Sequence, residues 1–147
     1  MEGLQMGAWG TGIFENDEAC DFTGTVAESD GLSALEIALD RVLNAGSADL
    51  EAREAEEGLG AADIVARLAG QFGERTAYTE EIDEWVERQK SPPTAALLEK
   101  ARLAITRVLS KPSELLDLWA ETEHFVAWKS AIEELSKRLQ SAATDKG

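Results

Sequence analysis

Apolar side chains recur along this chain at intervals of three and four residues, and no stretch sustains a period-two alternation. That spacing sets them on single faces of successive α-helices and predicts an all-α fold, a single-domain bundle of six to seven helices. Asn16 or Asp17 caps the first helix, with acids at its start and Ala19, Phe22 and Val26 on one face. Asp30-Gly31 breaks it. Ser33 to Glu36 reads as a capping box for a second helix, striped by Leu35, Ala38, Leu39, Val42 and Leu43 and stopped by Asn44-Ala45-Gly46.

Residues 48–69 predict one long helix or two pieces. The opening ADLEAREAEE has few large apolar side chains and is expected to be exposed, whereas Leu59, Ala62, Ile64, Val65, Leu68 and Phe72 carry a buried face. Gly58 and Gly60 mark a break or a close helix contact, and Gly70 and Gly73 end the segment. Thr79 caps a short acidic helix with Ile82, Trp85 and Val86 inward. After the Ser91-Pro92-Pro93 punctuation, Thr94 caps a helix bearing Leu97, Leu98, Ala101, Ile105, Val108 and Leu109, and Pro112 stops it. Ser113 begins the next, with Leu115, Leu116 and Trp119 as its face. In the last helix Phe125, Trp128, Ile132, Leu135 and Leu139 form a short seam, read as core packing, with a dimer contact as the alternative. The expected organisation is one helical domain over 1–147: an extension at 1–5, a non-helical Gly/Trp-rich strap at 6–15 and a frayed tail at 141–147.

Charge changes this picture more than composition does. The chain carries a net −15, the wrong sign for a nucleic-acid footprint or an anionic membrane surface. Residues 1–89 hold 21 acids against 5 bases, and residues 90–147 hold 8 against 9. One part of the molecule is strongly acidic and the other nearly neutral. No apolar run approaches the about 20 residues of a membrane span. With one cysteine and no signal-like start, the expected location is the cytoplasm.

The stretch MGAWGTGIFEND, residues 6–17, carries the first candidate site. Its glycines are spaced GxxGxG, not GxGxxG, and there is no lysine before Lys90, so neither a dinucleotide fingerprint nor a Walker loop is present. A phosphate there would also meet Glu15, Asp17, Glu18 and Asp21 without a nearby counter-charge. The stretch reads as a strap that buries Trp9, Ile13 and Phe14 while Gly10 and Gly12 let the backbone turn, or as the cover of a ligand pocket. Asp17 and Asp21, four apart, share a helix face but lack a histidine partner or an EF-hand spacing, so capping and solvation account for them and no metal or cofactor is expected. His124, the single histidine, has no visible nucleophile or acid partner and is assigned to the surface or to capping. Cys20, among acids, is expected to have a raised pKa and to serve as a small buried residue. Trp85, Trp119 and Trp128 are core anchors, and the turn between Trp119 and Trp128, with Glu121 and His124, is the second place for a pocket.

These residues support a resemblance. MGAWGTGIFENDEACDF, Met6 to Phe22, resembles the opening of a family of small, mostly bacterial proteins of unknown function that start with an MGAWGxGxFxND signature. The Ala-rich AADIVARLAG at 61–70 and SELLDLWAE at 113–121 are weaker echoes. The resemblance implies an all-helical single domain and brings no activity, substrate or catalytic residue. It places the signature start at Met6, with residues 1–5 as an extension or a misassigned start. Cys20 departs from the small or aliphatic residue expected there.

The leading functional expectation is a non-enzymatic interaction module, antitoxin- or immunity-like at most. It would present Asp49, Glu51, Glu54, Glu56, Glu57 and Glu80, Glu81, Asp83, Glu84, Glu87 to a basic protein partner. The alternative is a small-molecule binder or small enzyme with a pocket beneath residues 7–14. Its binding residues would be Trp9, Gly10, Gly12, Phe14, Asp17, Asp21, Trp119 and His124. Monomer and homodimer both remain open at this point.

Overall fold

A computed structural model of the chain describes residues 10–29, 32–89 and 91–146. Among them there are seven helices and no strand: α1 (Asp17–Ala27), α2 (Leu32–Leu43), α3 (Ala52–Leu68), α4 (Glu80–Arg88), α5 (Ala95–Val108), α6 (Glu114–Ala120) and α7 (Phe125–Lys146). Residues 10–16 form a non-helical lead-in of turns and bends. The Met6–Trp9 part of the expected strap and the Asp30-Gly31 break lie outside the described residues.

The fold is organised around α3, which touches all six other helices. A helix enclosed on every side must be buried around its whole circumference. Ten consecutive residues, Gly58 to Arg67, are buried here. Small side chains make this possible. A Cβ at Gly58 would collide with Val42 of α2, so the two helices meet there backbone to side chain. At Gly60 the Phe14 and Phe22 rings and Ala19 come to 3.7 Å of where a Cβ would stand. Both glycines mark close contacts inside one continuous helix.

The predicted faces of α1, α2, α4, α5 and α6 point inward: Ala19, Phe22 and Val26; Leu35, Ala38, Leu39 and Val42; Ile82, Trp85 and Val86; Leu97, Leu98, Ala101, Ile105 and Val108; Leu115 and Trp119. Asn16 caps α1, accepting from the Ala19 amide at 2.8 Å, and Thr94 caps α5, accepting from Leu97 at 3.1 Å. On α7, Trp128, Ile132, Leu135 and Leu139 are buried within the chain, so this seam is core and is already covered.

Three local expectations are corrected. The segment at 48–57 is exposed on one side only: Asp49, Glu51 and Arg53 face solvent, whereas Leu50, Ala52, Ala55 and Glu56 are buried, because α6 and α2 close over it. Its lead-in is held to the start of α6, where Leu50 donates to Pro112 O at 3.2 Å and Glu114 donates to Leu50 O at 2.9 Å. The second helix starts at Leu32, which places Ser33 inside the first turn instead of at a cap. The last helix does not fray at Ser141 but runs to Lys146 and buries Ala142.

Candidate functional site

The lead-in to α1 is shaped by its own side chains. Gly12 donates its amide to Glu15 Oε1 at 2.9 Å, Glu15 donates its amide to Gly12 O at 3.1 Å, and Asn16 Nδ2 donates to Ile13 O at 3.2 Å. The resulting turn drives Phe14 into the core, where it is 5% exposed. Its ring lies 5.4 Å from the Arg67 guanidinium carbon. The sequence shows no cation near this stretch, but the fold supplies one from 53 residues away.

Arg67 belongs to a buried charge network. Its Nε donates to Asp63 at 2.6 Å on the same helix, Nη1 to Asp83 of α4 at 2.6 Å, and Nη2 to Glu74 O at 3.0 Å. Arg138 of α7 donates Nη2 to Asp63 at 2.8 Å, Nη1 to Gln71 O at 3.0 Å and Nε to Glu134 at 3.1 Å. The Thr79 hydroxyl donates to the other Asp83 oxygen at 2.8 Å. A Cβ at Gly73 would lie 2.7 Å from Arg138 Nη2, so the loop after α3 passes directly against the guanidinium. Burial works against the charge of Arg138, but the hydrogen bond and charge of Asp63, followed by Glu134, hold its pKa above the ordinary value. Between this network and the strap lies a cavity of about 180 Å³, bordered by Gly12, Phe14, Arg67, Thr76, Tyr78 and Arg138.

A second, smaller cavity of about 10 Å³ is bordered by Gly10, Gly12, Ile13, Asn16, Glu56, Leu59, Leu115, Trp119 and Trp128. The two indoles stack with centroids 5.9 Å apart and planes 11° from parallel. Glu56 is 4% exposed. Burial, then the charges of Glu18 and Asp17, push its carboxyl up to about 8. A third, open groove of about 430 Å³ runs along α4, bordered by Arg75, Thr76, Ala77, Glu80, Asp83, Glu84 and Glu87.

The fold therefore gathers some of the candidate residues and separates others. Gly10, Gly12 and Trp119 meet around the smaller cavity, and Gly12 and Phe14 border the larger one. Asp17 stands exposed at the start of α1 and acts on Glu56 through its charge. Asp21 is exposed on the same helix. His124 is exposed, 3.9 Å from Glu123, and borders none of these three cavities. Trp9 lies outside the described residues. Cys20 is half-buried, with its thiol donating to Phe14 O at 3.1 Å. Burial first, then Asp17 and Asp21, raise its pKa. Among the described residues no group of three histidine, cysteine or acidic side chains is placed to hold a metal ion, and no helix is long and apolar enough to cross a membrane.

Two of the acids assigned to an exposed face, Glu56 and Asp83, are buried instead. Asp63, Arg67 and Arg138 are absent from the sequence reading of the site. Part of the signal for the first two was available: Asp63 and Arg67 stand four apart in an Ala-rich helix, a spacing at which they can pair.

The fold and the strap define a small all-α domain whose N-terminal lead-in is pinned across a central buried helix. The chain belongs to the family described as Domain of unknown function (DUF4259), whose model matches residues 7–131. No curated protein and no solved structure matches the chain.

Proposed function

We propose that the protein is a non-enzymatic interaction module that receives a basic segment of a partner protein along α4. The observation that carries this reading is the open groove bordered by Glu80, Glu84 and Glu87. Among the described residues, Glu80 and Glu84 have no cation within ion-pair distance. The cation in the groove, Arg75, is already engaged by Glu87 at 2.8 Å and Asp83 at 3.8 Å and lies 4.2 Å from the Phe72 centroid. The exposed Asp17 and Asp21 of α1, which packs on α4, and Glu28 just after it add to the same negative field. At physiological salt such a field reaches only about 8 Å, so the partner must dock in contact. A neutraliser of a basic protein, acting in the cytoplasm, is one concrete form of this reading. The enzyme alternative is weaker. The cavity beneath the strap, about 180 Å³, falls short of the roughly 300–1,000 Å³ of ordinary small-molecule pockets.

The test is a pull-down from native lysate with wild type and with a Glu80→Lys/Glu84→Lys variant, each at low and high salt. The expected result is a stoichiometric basic protein captured by wild type at low salt and lost both at high salt and in the variant. Capture that ignores salt and the two charge reversals would overturn the reading.

A further inference from the structure

Glu56 sits in the second turn of α3, on the side of the helix that packs into the core. Among the described residues nothing hydrogen-bonds its carboxyl and no cation lies within ion-pair distance of it. Arg53, three residues earlier, is turned outward to Glu18 at 3.3 Å and Glu57 at 3.7 Å. The charges that act on Glu56 from the neighbouring α1 are Glu18 and Asp17, both negative. The described strap residues at the cavity, Gly10, Gly12 and Ile13, are uncharged, and so are Leu115 and Trp119 of α6 and Trp128 of α7. Among the described residues, nothing around it offsets a negative charge there.

A buried carboxylate in that position is neutralised by a proton or by a bound cation. The cavity of about 10 Å³ has room for one water-sized group. A metal ion would need a set of hard ligands, and no such group of side chains is present among the described residues. An ammonium group is water-sized, donates hydrogen bonds to a carboxylate, and is favoured beside indole rings. We infer that the cavity between Glu56, the strap and the Trp119/Trp128 pair binds a single ammonium group, as the free ion or as the head of a small primary amine. Binding exchanges a proton for the cation: Glu56 gives up its proton to water and its carboxylate pairs with the ammonium. Affinity therefore rises with pH, up to tenfold per unit, until the carboxyl titrates at about 8. This inference does not rest on the α4 groove, because α4 does not border the cavity.

The experiment uses the full chain with ammonium chloride and methylammonium chloride, each matched against potassium chloride at constant ionic strength. Thermal unfolding and titration calorimetry are read at pH 7 and pH 8. Ammonium raises the melting temperature where potassium does not. Its binding heat varies with the ionisation enthalpy of the buffer, reporting a released proton, and its affinity tightens several-fold at pH 8. Glu56→Gln abolishes all three effects, and Trp119→Phe, which keeps the carboxyl, weakens binding several-fold. If methylammonium acts like ammonium, the ligand is an amine head; if ammonium acts alone, it is the free ion. Equal shifts with potassium, unchanged ammonium binding in Glu56→Gln, or no shift at hundreds of millimolar would each overturn the site. A failed pull-down in the α4 test would leave these readouts untouched.

Discussion

Two carboxylates on α3, Asp63 and Glu56, lie two turns apart and almost equally deep, at 2% and 4% exposure. Asp63 is bracketed by Arg67 and Arg138, so its charge ties α3 to α7 and, through Arg67, to α4. Among the described residues, Glu56 has only uncharged walls and acids around it. Depth alone therefore does not decide what a buried acid does. With two guanidiniums in hydrogen-bond contact, burial turns the charge into a cross-link between three helices. With none, the same burial turns it into a group that holds its proton or exchanges it for a cation.

The largest test breaks the paired side. Arg67→Met leaves Asp83 without its closest partner and Asp63 with one guanidinium in place of two. Removing one member of a buried pair costs about 3–5 kcal/mol, and the urea midpoint should fall accordingly with little change in its slope. Glu56→Gln probes the unpaired side. In the folded chain Glu56 keeps its proton up to about 8, against an ordinary value of 4.5. Its contribution to stability is thus fully present below pH 4.5 and is lost as the pH rises through about 8. Wild type should lose at most about 1.4 kcal/mol per pH unit in that window relative to Glu56→Gln. The two stabilities should coincide near pH 4, and parallel pH profiles would remove the special status of Glu56. The smallest effect is expected at the surface. Glu99 and Arg102 are 2.6 Å apart but both exposed, so Glu99→Gln should shift stability by about 0–1 kcal/mol. A larger loss there would mean that contact geometry, not burial, sets the worth of a charge pair in this protein.

Much of the fold was legible in the sequence because helical periodicity is local. The spacing of Leu35, Ala38, Leu39 and Val42, or of Trp128, Ile132, Leu135 and Leu139, names a face without reference to anything distant. The caps at Asn16 and Thr94 act within three residues of their own positions. Of the residues expected to anchor the strap, Phe14 lies in the core and Ile13 is half-buried.

The site itself was decided by tertiary structure. Glu56 reads as exposed in the sequence because an Ala/Glu-rich stretch lacks large apolar side chains. It is buried because small residues let the other helices close in on the side of α3 that carries it, while Arg53 three residues earlier stays exposed. Asp63 meets Arg138 across 75 residues of chain, a pairing no local pattern encodes. By itself the sequence determined which faces are apolar, since that follows from the period of one helix. Only the tertiary structure decided which charges are buried and whether each finds a partner, since burial and pairing depend on how many elements surround a residue and what they carry.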